Sequence, residues 1–341
     1  MRIAHVLLSS GFAGTERATA EMCNAHCDAH TVLLIIRRRH RSRAGISIRD
    51  YLDPRVQVVE IGDWWQRAAL KRALDAFRPD VIHAHLRRAT RLLARIQPAA
   101  ATVATLHLTV NGPHFAAMDG IICIAGWQRR DLPPGYRGQV FFINESIIPA
   151  PRLAPEQVSA LRHELGVKPE QFFVGGVGRL AASKGFDVLI EAFQRAALPD
   201  TRLVILGEGR ERRRLERLAV PGISLPGFRK NIKDYYQAFD VFVSPSRSEP
   251  LGRVVLEALD AGAPVIATRT DGPAEILQQY PGDLVPIDDV DALAAQLARH
   301  HAARPPRVQA DLRAYHIETV AAQTLRAYEA IIEARQQRAP A

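Results

Sequence analysis

The sequence predicts an α/β protein that is divided into two domains. Short, apolar, strand-like runs alternate along the chain with segments whose apolar residues recur at helical spacing. The 341 residues are long for one domain and sufficient for two, each able to bury its own core. Pro149, Pro151 and Pro155 interrupt the chain near its middle, so we place the boundary there, with domains at 1–150 and 151–316.

The first half contains seven predicted strands, each an apolar run of four to eight residues, and four predicted helices with apolar periodicity. The strands are Ile3–Leu8, Thr31–Ile36, Val56–Ile61, Val81–His85, Ala101–His107, Ile121–Ile124 and Val140–Ile143. The helices are Thr15–Ala29, Trp64–Phe77, Arg87–Ile96 and Trp127–Asp131.

The second half continues the alternation of strands and helices. The predicted strands are Phe172–Val177, Arg202–Leu206, Ile223–Leu225, Val241–Ser244 and Pro264–Thr268, with helices between them. The acidic run 288–291 is interpreted as a helix start capped by Asp289, because an apolar helical pattern follows it. A last apolar-periodic segment, 317–334, is predicted to be a helix.

A first candidate binding motif is the segment 246–257, Ser-Arg-Ser-Glu-Pro-Leu-Gly-Arg-Val-Val-Leu-Glu. Glu249 is predicted in a loop, Gly252 at a helix start, and Glu257 on that helix. A helix start presents unpaired N–H groups and partial positive charge, which favour a bound phosphate. Carboxylates before and after it can bind hydroxyl groups, as a sugar nucleotide requires. The simpler alternative is that Arg253 and Glu257, at i,i+4 spacing, form only a surface ion pair.

A second candidate motif follows the predicted strand 172–177. The strand runs into Gly178-Arg179-Leu180, and Lys184-Gly185 then opens the next helix. Ligands of open α/β sheets bind at the carboxyl ends of the strands. Two cations from one strand–helix connection can neutralise a diphosphate without a metal. A single loop cation is ordinarily only solvated, but this placement favours a binding role.

Together these residues resemble the retaining glycosyltransferases of family 4, which have the GT-B fold of two Rossmann-like domains. Glu249 and Glu257 are separated by seven residues, as in the E-x7-E motif of that family. Gly178–Leu180 followed by Lys184-Gly185 is similar to its diphosphate-binding pair. Leu206–Gly209 after a strand is similar to its nucleotide-proximal loop.

The resemblance implies two Rossmann-like domains facing a central cleft. Residues 1–150 would bind the acceptor and 151–316 the nucleotide sugar, with the helix 317–334 packing back on the first domain. The implied reaction is a retaining, metal-independent transfer of a hexosyl or related sugar, without a cofactor, in bacterial lipopolysaccharide or exopolysaccharide synthesis. The implied donor is a UDP- or GDP-sugar, and the implied acceptor is a glycan or a lipid-linked glycan.

Residue by residue, the resemblance implies four groups of site residues. The residues expected to act in the reaction are Arg179, Lys184, Glu249 and His107. Those expected to bind the donor are Gly178, Glu208, Gly209, Leu251, Gly252, Arg253 and Glu257. The loop expected to face the diphosphate and acceptor contains Gly11, Gly14, Thr15 and Glu16, and Asn144 is an expected acceptor contact. A second acceptor contact, His85, is chosen from the residues themselves, because His83 and His85 alternate at the end of a predicted strand and share one face.

Several of these positions have a structural alternative or depart from the family pattern. Gly11 and Gly14 are not adjacent, unlike the glycines of the family's loop, and a plain turn explains them as well. A strand-end histidine such as His107 is often structural. Asn144 stands where the family often has Asn-Gly, and Glu145 replaces that glycine.

A metal site is the alternative for a helical stripe of cysteine and histidine. Cys23, His26, Cys27 and His30 share one helix face. A single helix rarely surrounds one tetrahedral ion with four ligands, and the stripe is where this helix should meet its sheet. Core packing is therefore favoured, and no metal is expected.

Charge and composition limit the partners. The net charge is +9, and the clearest basic run is 37–43. Such a run forms a solvated loop or contacts an anionic surface. Aromatic residues make up 6% and none interleaves the run, so an anionic acceptor or membrane is favoured over nucleic acid.

Location follows from the apolar pattern and the cysteines. No apolar run reaches the ~18–20 residues that span a bilayer, and the first apolar segment is a strand rather than a signal peptide. Three cysteines cannot build a disulfide framework. A cytoplasmic enzyme is expected, working at the inner face of the cytoplasmic membrane.

Two alternative functions remain open on the sequence alone. A nucleotide-sugar 2-epimerase of the same fold would need no acceptor, and a catalytically silent GT-B subunit would only bind a glycan or a partner. A phosphorylase-like enzyme would need a pyridoxal lysine, which nothing in the sequence identifies.

Overall fold

The computed structural model describes residues 1–40, 45–108 and 112–338. The chain divides into two compact units. The N-terminal unit comprises Met1–Ser146 and Arg313–Ala341, and the C-terminal unit comprises Ile147–Leu312.

Along the first segment of the N-terminal unit, each strand is joined to the next by an α-helix or by a short 3-10 helix. They are β1 (Arg2–Leu7), α1 (Gly14–His26), β2 (Thr31–Arg37), β3 (Gln57–Ile61), α2 (Gln66–Phe77), β4 (Val81–His85), α3 (Leu86–Ile96), β5 (Ala101–Leu106), β6 (Gly120–Cys123) and β7 (Gln139–Phe142).

The C-terminal unit begins with a helix that has Pro155 in its first turn, where a missing N–H costs nothing. Its elements are α4 (Pro155–Glu164), β8 (Phe172–Val177), α5 (Phe186–Ala196), β9 (Thr201–Leu206), α6 (Arg212–Leu218), β10 (Ile223–Gly227), α7 (Ile232–Tyr236), β11 (Val241–Ser244), α8 (Arg253–Asp260), β12 (Val265–Thr268), α9 (Asp271–Ile276), β13 (Asp283–Val285) and α10 (Val290–Ala303). The chain then returns to the N-terminal unit as α11 (Ile317–Arg338).

Both units contain one parallel sheet with the same connectivity. The orders are β3-β2-β1-β4-β5-β6-β7 and β10-β9-β8-β11-β12-β13, and every neighbouring pair is parallel. The order reverses between β1 and β4 and again between β8 and β11. In doubly wound sheets this switch point is where ligands bind, outside the carboxyl ends of the strands. The predicted α/β fold with two Rossmann-like domains is confirmed.

The core of the N-terminal unit explains why α11 belongs to it. Val320, Tyr328 and Ile331 are buried with residues of β1, β4 and β5 in one apolar cluster. A Cβ at Gly120 would lie 2.3 Å from the Cδ1 atom of Ile331, so the missing side chain makes room for this helix. Fully burying such a side chain contributes about 1.5–3 kcal/mol to folding.

The predicted element boundaries need four corrections. Trp64 and Trp65 precede α2, because Trp65 adopts a left-handed conformation at the helix start (φ 57°). Helix α1 ends at His26 and not Ala29. Residues 126–131 form a 3-10 helix, and the three-residue strand β13 had no apolar run long enough to predict it.

No described helix is both long and apolar enough to cross a membrane. Of the predicted basic run 37–43, residues 41–43 lie outside the described residues.

Candidate functional site

The switch point of the C-terminal unit brings together two of the predicted charged residues. Lys184 follows β8 and Glu249 follows β11, and these two strands are neighbours. The Lys184 ammonium donates a hydrogen bond to the Glu249 carboxylate. Both side chains are largely buried, with 21% and 12% of their surface exposed. Arg179 lies exposed at the end of the same strand β8.

Close backbone contacts explain the glycines around this pair. A Cβ at Gly207 would lie 1.9 Å from the carbonyl oxygen of Gly178, and one at Gly209 would lie 2.1 Å from that of Leu180. Gly185 has a left-handed φ of 63°, and its Cβ would lie 2.0 Å from a backbone oxygen. The loops after β8 and β9 therefore pack backbone against backbone, which only glycine allows.

An arginine that sequence reasoning missed ties the two charged loops together. Arg247 donates to both carboxylate oxygens of Asp187 (2.9 and 3.0 Å), to the carbonyl oxygen of Ala182 (2.7 Å) and to Asp288 (2.6 Å). Burial acts to raise the pKa of Asp187, but the hydrogen bonds and charge of Arg247 outweigh it and the pKa lies below its ordinary value. Arg247 thereby holds the Lys184 loop beside the Glu249 loop.

Helix α8 begins directly after this loop, as predicted. Gly252 precedes it with a left-handed φ of 91°, and Leu251 before it is buried. The Arg253 Nε atom lies 3.4 Å from Glu257 Oε1, and both side chains are about 8% exposed, so this is not the surface ion pair of the simpler alternative. The Glu257 carboxylate also accepts a hydrogen bond from the Tyr236 hydroxyl (3.1 Å).

Glu208 is engaged by a neighbouring cation. Arg212 donates three hydrogen bonds to it, at 2.7, 3.0 and 3.2 Å, and these bonds lower the pKa of Glu208. Arg212 also donates to Glu216 and to a backbone carbonyl of β10. The loop that follows β9 is thus fixed by an i,i+4 pair, Glu208 and Arg212, which the sequence contained but which was not singled out.

In the N-terminal unit, the loop after β1 lies at the switch point of its own sheet. Glu16 accepts a hydrogen bond from the backbone N–H of Ala13 (2.8 Å), so its carboxylate caps α1. Gly11 and Gly14 do not have a left-handed φ, and a Cβ at either would meet no described atom within 4 Å. Protein packing therefore does not explain these glycines, and Thr15 beside them is partly exposed.

A buried chain of hydrogen bonds runs from Glu145 through His107 and His85 to His5. His107 Nδ1 lies 2.8 Å from Glu145 Oε1, and His107 Nε2 lies 3.0 Å from His85 Nδ1. His85 Nε2 lies 2.9 Å from His5 Nδ1. If Glu145 is ionised and accepts, each Nδ1–H donates to the next group and each Nε2 accepts, which leaves His5 Nε2 without a partner among the described atoms.

The buried chain of hydrogen bonds limits how His107 can bind a ligand. Both ring nitrogens of His107 are hydrogen-bonded within the protein, so a ligand that binds either nitrogen must displace one of these bonds. His83 lies beside the chain, hydrogen-bonded to the Tyr328 hydroxyl and to Thr105 (both 2.6 Å). Burial, followed by the neighbouring histidines, holds the pKa of His83 and His85 well below the ordinary value.

A small cavity of about 40 Å³ opens beside this histidine chain, within the N-terminal unit. Its polar lining includes His85, His107, Asn144, Glu145 and Ser146. The Ser146 hydroxyl is buried and has no hydrogen-bond partner among the described atoms. Of the expected acceptor residues, His85 and Asn144 therefore share one wall with His107.

Cys23 and Cys27 pack in an apolar cluster with Ala20 and Val32, as the core interpretation predicted. Among the described residues, the group that could hold a metal ion is a different one, His5, His83 and His85. Its ligand atoms lie within 4.8 Å of one another, but the hydrogen bonds above already engage most of them.

The predicted site residues therefore fall into two separate groups. Lys184, Glu249, Arg179 and the residues around the start of α8 lie at the carboxyl edge of the C-terminal sheet. His107, His85, Asn144 and the loop 11–16 lie at the carboxyl edge of the N-terminal sheet. The residues that sequence reasoning missed are Arg247, Asp187, Arg212 and His5.

Known proteins share both the sequence pattern and the fold. The family model described as "Glycosyl transferases group 1" matches residues 171–302. The lipopolysaccharide core biosynthesis glycosyltransferases LpsE and LpsD of Rhizobium meliloti (strain 1021) are similar to this chain. LpsE is 31% identical over 64% of this chain and 64% of its own length, and LpsD is 30% identical over 67% of each. The chain thus matches about two thirds of the length of these relatives.

Among solved structures, Anabaena HepE in complex with UDP-glucose has a TM-score of 0.78 with this chain. The superposition covers 99% of this chain and all of HepE at 20% sequence identity, which establishes a shared fold.

Proposed function

The chain belongs to the group 1 glycosyl transferases, and we propose that it transfers a sugar from a nucleoside-diphosphate donor to an acceptor hydroxyl during cell-surface glycan synthesis. We assign it to the retaining, metal-independent enzymes of family 4. The similarity to two lipopolysaccharide core glycosyltransferases favours lipopolysaccharide as the product.

The observation that carries this proposal is the Lys184–Glu249 pair at the switch point of the C-terminal sheet. An exposed cation, Arg179, follows strand β8 in the same connection as Lys184, and α8 begins four residues after Glu249. Positive charge and helix N–H groups suit a diphosphate, while a carboxylate suits sugar hydroxyls. A sugar nucleotide needs both the cationic groups and the carboxylate, and the loops after β8 and β11 supply them together.

The chemistry follows from these charges. Breaking the bond between the sugar and the diphosphate places negative charge on the leaving group and positive character on the sugar. Arg179, Lys184 and the N–H groups at the start of α8 would stabilise that leaving group, and removing one such contact costs about 10²–10³-fold in rate. A departing phosphate oxygen can take the proton of the acceptor hydroxyl on the same face, which gives retention without a separate base.

The two carboxylates would hold the rest of the donor. Glu249 would bind hydroxyls of the donor sugar after Lys184 turns to the diphosphate. Glu257, which is already oriented by Tyr236, would bind the ribose hydroxyls. HepE holds UDP-glucose, which supports uridine as the base, and guanosine is the second candidate.

The test begins with binding. Thermal shifts with UDP, GDP, ADP and CDP should show selective stabilisation by one base, since a ligand that binds only the folded state raises Tm. The shift should be lost in Arg179→Ala and Lys184→Ala. It should survive in Lys168→Ala, which removes an exposed lysine of the same unit.

The second step measures turnover with the sugar nucleotides of the selected base. Slow donor hydrolysis without acceptor, reduced about 10²–10³-fold in Lys184→Ala, is the expected result. An altered sugar with free nucleotide would indicate the epimerase instead. Selective binding without turnover by any acceptor would indicate a silent subunit, and equal, negligible shifts with every nucleotide would refute the donor site.

A further inference from the structure

The two most exposed large apolar side chains among the described residues are adjacent. Trp64 and Trp65 have 85% and 87% of their surface exposed. Trp65 also has a left-handed backbone conformation (φ 57°, ψ 29°), which a bulky residue rarely adopts. Two neighbouring indoles in water lose favourable apolar burial, so a partner that covers them would stabilise this loop.

The loop 62–65, which carries the two tryptophans, lies beside residues 37–40, the described part of the basic run. Strands β2 and β3 are parallel, and Arg37 pairs with Ile61 at their carboxyl ends. The N–H of Arg38 donates to the carbonyl oxygen of Ile61 (2.9 Å), and the Arg37 Nε atom donates to Asp63 (2.8 Å). The chain directly after β2 is therefore bonded to the chain directly before Trp64.

Exposed arginines lie near the two indoles, both along the chain and after the neighbouring strand β2. Arg38 and Arg39 follow β2 and are exposed, and Arg67 is exposed in the first turn of α2. The one acidic residue of the connecting loop, Asp63, is neutralised by its ion pair with Arg37. The surface thus combines aromatic and cationic groups with little opposing charge.

We propose that the surface formed by Arg38, Arg39, Trp64, Trp65 and Arg67 binds the headgroup region of an anionic lipid bilayer. Tryptophan is enriched at the membrane–water interface, where the ring meets the acyl boundary and its N–H meets water. Arginines beside it are attracted by anionic headgroups. A soluble glycan could also stack on the indoles, but it would give no reason for Arg38, Arg39 and Arg67, which have no acidic partner among the residues that the structure describes.

The position of this surface suits an enzyme with a lipid-borne acceptor, and this one step rests on the proposed function. The surface lies at the carboxyl ends of β2 and β3, and the loop with Gly11 and Gly14 follows β1 in the same sheet. Neighbouring strands are about 5 Å apart, so the surface lies one to two strand spacings from the loop, on the order of 5–10 Å. Lipid binding itself does not depend on any transfer reaction.

The test measures binding of the full chain to phosphatidylcholine vesicles with and without phosphatidylglycerol. In a Trp127→Phe background the remaining indoles are Trp64 and Trp65. Their emission should shift to the blue with anionic vesicles, and brominated lipids should quench it. The double variant Trp64→Ala/Trp65→Ala, in the wild-type background, should lose at least about tenfold in vesicle affinity measured by co-sedimentation.

Charge is tested with a matched pair of double variants. Arg38→Gln/Arg39→Gln should lose about 25-fold in affinity for anionic vesicles, because each cation near the lipid contributes on the order of a factor of five. The control Arg213→Gln/Arg217→Gln removes two exposed charges from α6 and should change affinity less than about twofold.

Each outcome decides the proposal. Unchanged vesicle binding in the tryptophan variant, equal binding to neutral vesicles, or indole emission that responds only to soluble oligosaccharide would overturn it. The nucleotide thermal shift is measured on the same variants and should be unchanged, so failure of lipid binding and failure of the donor site are separate results.

Discussion

Acidification should destabilise the N-terminal unit through its buried histidines. His5, His26, His83 and His85 are buried, and burial is the first cause that lowers the pKa of each below the ordinary value of 6.5, to about 4 for His26. The folded unit keeps these rings neutral, whereas the unfolded chain protonates them. Their stabilising contribution is therefore complete above pH ~7 and is lost as the pH falls through 6.5 toward the folded pKa values.

The size of the effect follows from the unfolded pKa alone, as long as the folded rings stay neutral. At pH about 5.5, each ring that takes up a proton only on unfolding lowers the free energy of unfolding by about 1.4 kcal/mol. Four such rings give about 5–6 kcal/mol, which is a large part of the about 5–15 kcal/mol that stabilises a typical protein. The buried His40 and the partly buried His30 and His114 also have a lowered pKa, and they add in the same direction.

Tryptophan fluorescence can follow this unit alone, because all three tryptophans, Trp64, Trp65 and Trp127, lie in it. Urea unfolding between pH about 7.5 and 5.5 should show the midpoint falling steeply below pH ~6.5. His26→Leu removes one of the four rings and should reduce the total loss by about 1.4 kcal/mol. A free energy of unfolding that does not change over this interval, or an equal pH dependence in His26→Leu, would refute the reasoning.

Three further predictions concern glycines and the histidine chain. Gly207→Ala should destabilise the C-terminal unit by more than about 3 kcal/mol in urea unfolding, because its Cβ would meet the Gly178 carbonyl oxygen at 1.9 Å, and a loss under 1 kcal/mol would contradict the close packing. Gly14→Ala, which meets no described atom within 4 Å, should change stability by less than about 1 kcal/mol but lower transferase activity, and full activity would show that no ligand approaches there. Glu145→Ala should cost about 1–3 kcal/mol of stability by leaving His107 Nδ1 without its acceptor, with most of that loss restored in Glu145→Gln; an equal loss in both would contradict a role as hydrogen-bond acceptor.

The strands could be predicted from the sequence because parallel sheets are buried on both faces. Their strands are continuous apolar runs, such as Val32–Ile36, and all seven strands of the N-terminal sheet were predicted within one residue at each end. The strand β13 has only three residues and begins with Asp283, so it carries no such signal. Trp64 and Trp65 were assigned to α2 because apolar residues suggest a buried face, although both are exposed.

The candidate site could be predicted only where its residues lie in one loop. Glu249 and Gly252 are close in sequence, so their relation to the start of α8 follows from spacing. The partners of Arg247 and Glu145, by contrast, come from 60 and 38 residues away. No local pattern shows that the chain after β7 returns to the end of β5.

The hydrogen-bonded histidines are the clearest example of contacts that residue spacing alone does not predict. His83 and His85 alternate on β4, which predicts that they share a face, but it does not say what that face meets. His5 joins them because β1 is the neighbour of β4, with His5 in register with His83. A one-residue slip of β1 would turn His5 to the opposite face and break its bond to His85. The chain of hydrogen bonds from Glu145 therefore depends on the order and register of β1, β4, β5 and β7, which are properties of the folded sheet and not of any segment of the sequence.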